Sequence, residues 1–381
     1  MEKEPKRILH IVSSMERGGA ETLIMNIYRN LDRTKLQFDF ITHSNKKGDF
    51  DEEILTLGGR IYKIPSLGNL GPLSYIKNLI KIMNSNSYIA VHSHTDYQGG
   101  FPALAAKIAG INKRICHSHS NNWSKAKSFK SWVTLIILRS LIKISATNYC
   151  SCSLEAAQFL FGQNIGKTGK VSILKNGVDI AQFTMARTNL RNSVINELNL
   201  SGNVKIIGHV GRFSDSKNHF FILKVLKKLI EEDDHYVALL IGDGPLRINI
   251  EKEAAKLGVL NHIRFLGVRS DIPKLMKAFD VFLFPSKFEG FGIVTIEAQC
   301  SGTPCVIADT VPKATDMGLG LTSFVNLDES LDSWCNKIKE SILMARPDDD
   351  LIYDRVSNRG FNIKNNVSDW VELYGASQLM M

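Results

Sequence analysis

Asp280-Val281-Phe282-Leu283-Phe284-Pro285-Ser286-Lys287-Phe288-Glu289-Gly290-Phe291-Gly292-Ile293-Val294-Thr295-Ile296-Glu297 runs from an apolar strand, through a glycine-containing turn, into a segment of helical character. Residues 280–284 read as the strand, Pro285 and Ser286 end it, and residues 292–300 carry the helical pattern. A helix that starts above the carboxyl end of a strand turns its unpaired amides toward that end, where a diphosphate is favoured. Glu289 precedes the first turn and Glu297 lies about two turns further on. One carboxylate can then reach a sugar hydroxyl and the other a ribose, to either side of a diphosphate that both would repel. Taken alone, the same glutamates read equally well as a helix-dipole partner and a solvated position.

A second cluster tips that balance. Residues 204–210 form another apolar strand ending in His209-Val210-Gly211-Arg212-Phe213, and Ser214-Asp215-Ser216-Lys217-Asn218 follows before a helical pattern starts at His219. Arg212 and Lys217 are cations at a strand end and in its loop. Two fixed cations neutralise the charge that grows on a departing nucleoside diphosphate without calling on a metal.

These residues resemble a known family. Gly211-Arg212 with Lys217, Gly242-Asp243-Gly244-Pro245, Phe265-Leu266-Gly267, and Glu289 with Glu297 are similar to the donor half of retaining glycosyltransferase family 4, of GT-B architecture. In the first half, Ile8-Leu9-His10-Ile11-Val12 leading to Gly18-Gly19-Ala20-Glu21, then Cys116-His117-Ser118-His119-Ser120 and Asn176-Gly177-Val178-Asp179, follow the family's order. The match spans nearly the whole chain and is most similar to the exopolysaccharide-synthesis (EpsF-like) members. Lys175 stands where many relatives carry proline, and Glu289-Gly290-Phe291-Gly292 follows the general family turn, which leaves the donor sugar open.

Bulk properties agree with this size of fold. The 381 residues, 44% hydrophobic and 22% charged, suffice for two domain-sized cores. Strands alternate with helices through the first half and again from Lys205, the pattern of parallel sheets covered on both faces. The fold class expected is therefore α/β, with two Rossmann-like domains facing across a cleft. Residues 1–178 form the acceptor-side domain and residues 179–361 the nucleotide-sugar domain, while residues 362–381 pack back on the first, with Trp370 and Tyr374 as anchors or as plain core. Ligands of such sheets collect outside the strands' carboxyl ends.

Charge is unevenly shared: residues 1–180 hold 24 Lys/Arg against 13 Asp/Glu, and the remainder 23 against 25. Between residues 97 and 154 there are eight basic residues and no acidic one. Within that stretch, residues 124–143 mix Lys125, Lys127, Lys130, Arg139 and Lys143 with Trp132 and a long apolar run. The segment reads as a helix on an anionic membrane surface or as core with a solvated basic face. No nucleic-acid motif accompanies the basic patch. No apolar stretch is long enough to span a bilayer, and Met1-Glu2-Lys3-Glu4-Pro5-Lys6-Arg7 leads straight into a strand, so a cytoplasmic location on the inner membrane face is expected. Six cysteines without zinc or redox spacing are expected to be reduced and structural.

Gly18 and Gly19 follow the first strand without side chains to block approach, so their amides can contact the donor phosphates. His119 ends a strand, and the resemblance implies that it reaches the transferred sugar; His117 points to the same sheet face, closer to the core, and His94 is a weaker candidate on the acceptor side. Asp49-Phe50-Asp51 has metal-type spacing, but Asp51 also suits a helix start, and Asp348-Asp349-Asp350 reads as a solvated loop. No metal and no cofactor is expected. The catalytic set is His119, Arg212, Lys217 and Glu289. The donor set adds Gly18, Gly19, Gly211, Gly290, Phe291, Gly292, Ile293 and Glu297, with the base, expected to be uracil, near Val268 and Arg269. The resemblance implies transfer from a nucleoside diphosphate sugar to a growing, lipid-linked exopolysaccharide or capsule glycan, with the acceptor attacking the face that the diphosphate leaves. A nucleotide-sugar epimerase and a non-catalytic nucleotide-sugar-binding protein are the alternatives.

Overall fold

The computed structural model describes residues 4–119, 129–167, 169–184 and 187–379. The chain divides into two compact units, residues 1–177 with 363–381, and residues 178–362. The division falls within the turn-rich Asn176-Gly177-Val178-Asp179.

The first unit holds seven strands: β1 (Lys6–Val12), β2 (Leu36–Thr42), β3 (Ile61–Lys63), β4 (Tyr88–Ser93), β5 (Lys113–Ser118), β6 (Asn148–Ser151) and β7 (Val171–Ile173). They form one sheet in the order β3-β2-β1-β4-β5-β6-β7, and every pairing is parallel. The second unit repeats the scheme with β8 (Lys205–Val210), β9 (Tyr236–Ile241), β10 (Ile263–Gly267), β11 (Val281–Phe284), β12 (Cys305–Ala308) and β13 (Thr322–Val325), ordered β10-β9-β8-β11-β12-β13. These pairings too are all parallel. Both sheets are doubly wound, so the expected pair of Rossmann-like α/β domains is present. Their order reverses between β1 and β4 and between β8 and β11, the two places where an open parallel sheet leaves a crevice at its carboxyl edge.

Burial follows from parallel pairing. Helices cover both faces of each sheet, so central strands lose the alternation of a half-exposed strand; every residue of β2 and of β9 is buried. The helix expected at the first glycine pair spans Gly19–Asn30, the one expected at His219 spans His219–Glu232, and the one in the opening segment spans Ile293–Cys300.

One sequence expectation needs correction, and one strand had no sequence signal. Residues 148–151, Asn-Tyr-Cys-Ser, lack a strand's apolar pattern, yet they pair between β5 and β7. The run Asp348-Asp349-Asp350 is solvent-exposed but is not all loop: Asp349 and Asp350 open the helix Asp349–Asn358, and the Asp348 carboxylate caps it by accepting from the Leu351 amide at 2.7 Å. Asp51 starts the helix Asp51–Thr56, as its sequence position suits, and forms an ion pair with Lys63 at 3.3 Å, while the Asp49 carboxylate accepts from the Arg17 amide.

The terminal helix Ile363–Leu373 belongs to the first unit. Its Trp370 is fully buried and shares one apolar cluster with Ile8, Phe38, Phe40, Ile24 and Tyr28. Tyr374, also buried, hydrogen-bonds His92 Nδ1 at 2.9 Å. Removing a buried indole leaves a cavity worth about 3–5 kcal/mol. Trp370→Ala is accordingly expected to lower the unfolding free energy by about that amount in a denaturant titration; a change within experimental error would show that the terminal helix does not hold the first unit together.

Candidate functional site

Carboxyl ends of β8, β9, β10 and β11 converge because all four strands run parallel. Backbone bonds fasten their loops to one another. The Gly211 amide donates to Ile241 O at 2.9 Å, the Phe213 amide to Asp243 O at 2.9 Å, and the Gly242 amide to Gly267 O at 2.8 Å. Approach is so close that a Cβ on Gly242, whose φ is +126°, would collide with the Gly211 carbonyl. The Gly-Asp-Gly-Pro stretch thus serves loop packing, a physical reason for its glycines that composition alone did not give.

Gly211 makes room in a second way. A Cβ there would stand 3.2 Å from Lys217 Cδ and 3.3 Å from Cε. Lys217 crosses this gap and forms an ion pair with Glu289, although the two lie 72 residues apart in sequence. Their side chains keep only 18% and 10% of their accessible surface. The ammonium also stands 4.7 Å from the centre of the Phe284 ring, at the end of β11. Arg212, by contrast, is exposed and has no ion pair among the described residues. Lys287 and Asp215 form a further pair across the same two loops at 2.6 Å.

Sequence reading missed the floor of this site. His209 and His219 are buried beneath Lys217, their rings edge to face at 4.7 Å. His209 Nδ1 meets Leu283 O at 2.9 Å, whereas His209 Nε2 and both nitrogens of His219 have no partner. Burial, with the Lys217 charge adding to it, pushes the His219 imidazole down to about 4 and His209 well below its ordinary range. Both rings are therefore neutral near pH 7 and add no cation beside Lys217. The signal was present as His209 in a strand and His219 at a helix start, but their contact depends on tertiary packing.

Gly292 adopts φ +87°, the left-handed conformation that favours glycine, and the helix Ile293–Cys300 starts immediately after it. Thr295 anchors this turn: its amide and hydroxyl both donate to Gly292 O, at 3.0 and 2.7 Å. The amides at the start of this helix are donors without an intrahelical partner, and they stand next to Glu289, Gly290 and Phe291. Glu297 is partly buried one face further along, and burial pushes its carboxyl up to about 7. Val268 is exposed after β10, whereas Arg269 is engaged by Asp271 and Glu197, each at 2.7 Å. The guanidinium placed near the base by sequence is thus already committed to two carboxylates.

In the first unit, Gly18 caps the helix Gly19–Asn30 without a side-chain bond, and the Glu21 carboxylate folds back over it. Burial raises Glu21 above its usual range. His119 follows β5 and is the least buried of five clustered histidines. Its Nε2 meets His94 Nδ1 at 2.9 Å, and its amide donates to Asp96 Oδ1 at 2.7 Å. Burial depresses the ring to about 4, so near pH 7 His119 is a neutral hydrogen-bonding group. Within the second unit the structure brings together Gly211, Arg212, Lys217, Glu289, Gly290, Phe291, Gly292 and Ile293; Gly18, Gly19 and His119 lie at the carboxyl edge of the first sheet.

Comparison with known proteins gives this geometry its context. Residues 17–182 match the family described as Glycosyltransferase Family 4, and residues 191–317 match Glycosyl transferases group 1. The chain is 40% identical over 378 residues to the putative glycosyltransferase EpsF of Bacillus subtilis (strain 168), covering 99% of this chain and 98% of that protein. It is 25% identical over 336 residues to the UDP-Gal:alpha-D-GlcNAc-diphosphoundecaprenol alpha-1,3-galactosyltransferase of Escherichia coli, covering 83% of each. The crystal structure of Anabaena HepE in complex with UDP and glucose shares the fold, with a TM-score of 0.77 at 22% identity over 97% of this chain and 100% of that one. Two doubly wound parallel units, family matches in both halves and a relative similar from end to end lead to one conclusion: the chain is a glycosyltransferase of the GT-B fold and belongs to glycosyltransferase family 4.

Proposed function

We infer that this enzyme transfers a sugar from a UDP-sugar to a growing, lipid-linked polysaccharide precursor. One observation carries the reading: the Lys217–Glu289 pair stands beside exposed Arg212 and the helix start at Gly292, at the carboxyl edge where β8 and β11 meet. A diphosphate between Arg212, Lys217 and the first amides of that helix meets two cations and a favourable dipole. Glu289 accepts a hydrogen bond from the sugar while fixing Lys217, and Glu297 accepts one from the ribose. His119 supplies a neutral contact to the transferred sugar. Relatives named for lipid-diphosphate-linked and capsular polysaccharide substrates, and a fold relative holding UDP and glucose, support the substrate class.

The chemistry required is heterolysis of the bond between the anomeric carbon and the diphosphate. Negative charge grows on the departing oxygen, and positive charges fixed beforehand stabilise it without reorganising. Arg212 and Lys217 do this in place of a divalent ion. The acceptor hydroxyl attacks from the face that the diphosphate leaves, hands its proton to the leaving phosphate, and so retains the anomeric configuration.

Membrane contact is assigned to the helix Phe129–Ser145. Leu135 and Ile142 are buried, while Trp132, Ile136, Ile137 and Ile144 are exposed beside exposed Lys143. An apolar face with a basic residue suits an anionic bilayer surface. The remainder of the expected 124–143 segment, residues 124–128, lies outside the described residues. No described helix is long and apolar enough to cross a membrane.

Three measurements test the reading. Lys217→Ala is expected to lower kcat by about 10²–10³ with secondary structure intact, and added Mg2+ or Mn2+ to leave wild-type turnover unchanged; full activity of the variant would remove Lys217 from the mechanism. Because the Glu297 carboxyl is raised from 4.5 to about 7, the free fold favours its protonated form, and the stability this contributes is lost as pH rises through 7. The ribose needs the carboxylate, so donor affinity should rise between pH 6 and 8, and that slope should vanish in Glu297→Gln. A parallel slope in the variant would place the titrating group elsewhere. In flotation with phosphatidylglycerol vesicles, the wild-type chain should float at low salt and Ile137→Glu should not; equal flotation would assign contact to another surface.

A further inference from the structure

β1, β4 and β5, with the residues that directly follow β4 and β5, gather five histidines in the first unit. Their rings are joined in a chain: His119 Nε2 to His94 Nδ1 at 2.9 Å, His94 Nε2 to His10 Nδ1 at 3.0 Å, and His92 Nε2 to His117 Nδ1 at 3.1 Å. Both inner ends close on the Tyr374 oxygen, 2.9 Å from His92 Nδ1 and 3.5 Å from His10 Nε2. His10, His92 and His117 are fully buried, and His94 is nearly so. A fold fills such positions with branched aliphatics unless the polar groups have a use, because buried polar atoms must be paired. Within this histidine cluster His117 Nε2 breaks that rule: it is buried with no partner.

We propose that His94, His117 and His119 form a binding site for a transition-metal ion with the ligand preferences of zinc. One ring nitrogen from each can be chosen so that all three lie within 4.8 Å of one another. Nitrogens around a tetrahedral zinc stand about 3.4 Å apart, given bonds near 2.0–2.1 Å, so the trio needs only small ring rotations to close on an ion. An all-imidazole set suits zinc, copper or nickel rather than magnesium or calcium, which take oxygen ligands.

Surroundings fit that ion in three respects. Burial holds all three imidazoles far below their usual range, so their lone pairs are unprotonated near pH 7. With His94 Nδ1 and His117 Nε2 turned to the ion, their other N–H groups donate to His10 and His92, the outer hydrogen bonds that orient metal-binding histidines. His10 and His92 can then both donate to the Tyr374 oxygen, so the ring hydrogens of His10, His92, His94 and His117 each have an acceptor. Asp96, held at φ +46° and accepting from the His119 amide at 2.7 Å, sets a carboxylate beside a site that would otherwise gain two uncompensated charges. His119 is only partly buried and gives the ion a way in. The alternative trio His10, His92 and His94 lacks both the unpartnered nitrogen and the exposed member.

The test is titration of Zn2+ into the untagged full chain without nucleotide-sugar, with bound zinc counted by elemental analysis after gel filtration. Because no donor is present, the result stands apart from the assignment of the transferase site. One retained zinc per chain is expected, with affinity at least tenfold weaker in His94→Asn and in His119→Asn and unchanged in His235→Asn, which alters the exposed Asp233, Asp234 and His235 group. His119, the least buried ligand, keeps the experiment decisive if His94→Asn does not fold. No zinc uptake, uptake unaffected by His119→Asn, or uptake lost in His235→Asn would overturn the proposal.

Discussion

Parallel pairing governs the rest of this molecule. When every strand of a sheet runs the same way, all carboxyl ends fall on one edge, and the reversal of strand order keeps neighbouring loops there from covering each other. In the second unit this edge joins loops distant in sequence, and the Lys217–Glu289 ion pair fixes two of them together. Its geometry depends on Gly211, whose missing Cβ leaves a path for the lysine stem, and on Gly242, whose missing Cβ lets the β9 loop close against the β8 loop. A partly buried ion pair of this kind is weak evidence of stability, since desolvation offsets much of its attraction. Its value here is position: Lys217 is held at a site where a diphosphate would meet it.

The two units solve different electrostatic problems with one architecture. The second gathers fixed charge at its edge, with two neutral histidines beneath it so that no further cation competes for the anion. The first gathers neutral imidazoles, kept unprotonated by burial, with Glu21 raised at its helix start and Asp96 beside His119. Neutral hydrogen-bonding groups suit sugar hydroxyls or a metal ion, whereas cations suit phosphate. Fold alone would allow many chemistries. It is the side chains at the two edges that narrow them.

Much of this was legible in the sequence wherever a local rule was enough. Residues 281–284 form a strand and His219 starts a helix because apolar periodicity and a turn-rich break specify both. Arg212 and Lys217 were legible as strand-end and loop cations and Glu289 as a carboxylate ahead of a helix, but not the pairing of Lys217 with Glu289, because no local pattern encodes a contact 72 residues apart. For the same reason the histidines were seen singly. Spacing places His92 with His94 and His117 with His119 on a common face, yet only the register of β1, β4 and β5 shows that all five rings join. Short polar strands such as β6 were missed because neighbouring strands, not their own residues, make them strands. Asp348 was misread because a helix cap and a solvated acidic run look alike until the next turn of chain is known to be helical.

The central claim is that a nucleoside diphosphate occupies the edge formed by the loops after β8 and β11. Amide hydrogen exchange measured with and without UDP tests it most directly. Protection confined to residues 211–217, 267–269 and 289–297 is the outcome this account requires. Protection absent from those loops, at a UDP concentration that saturates the enzyme, would contradict it.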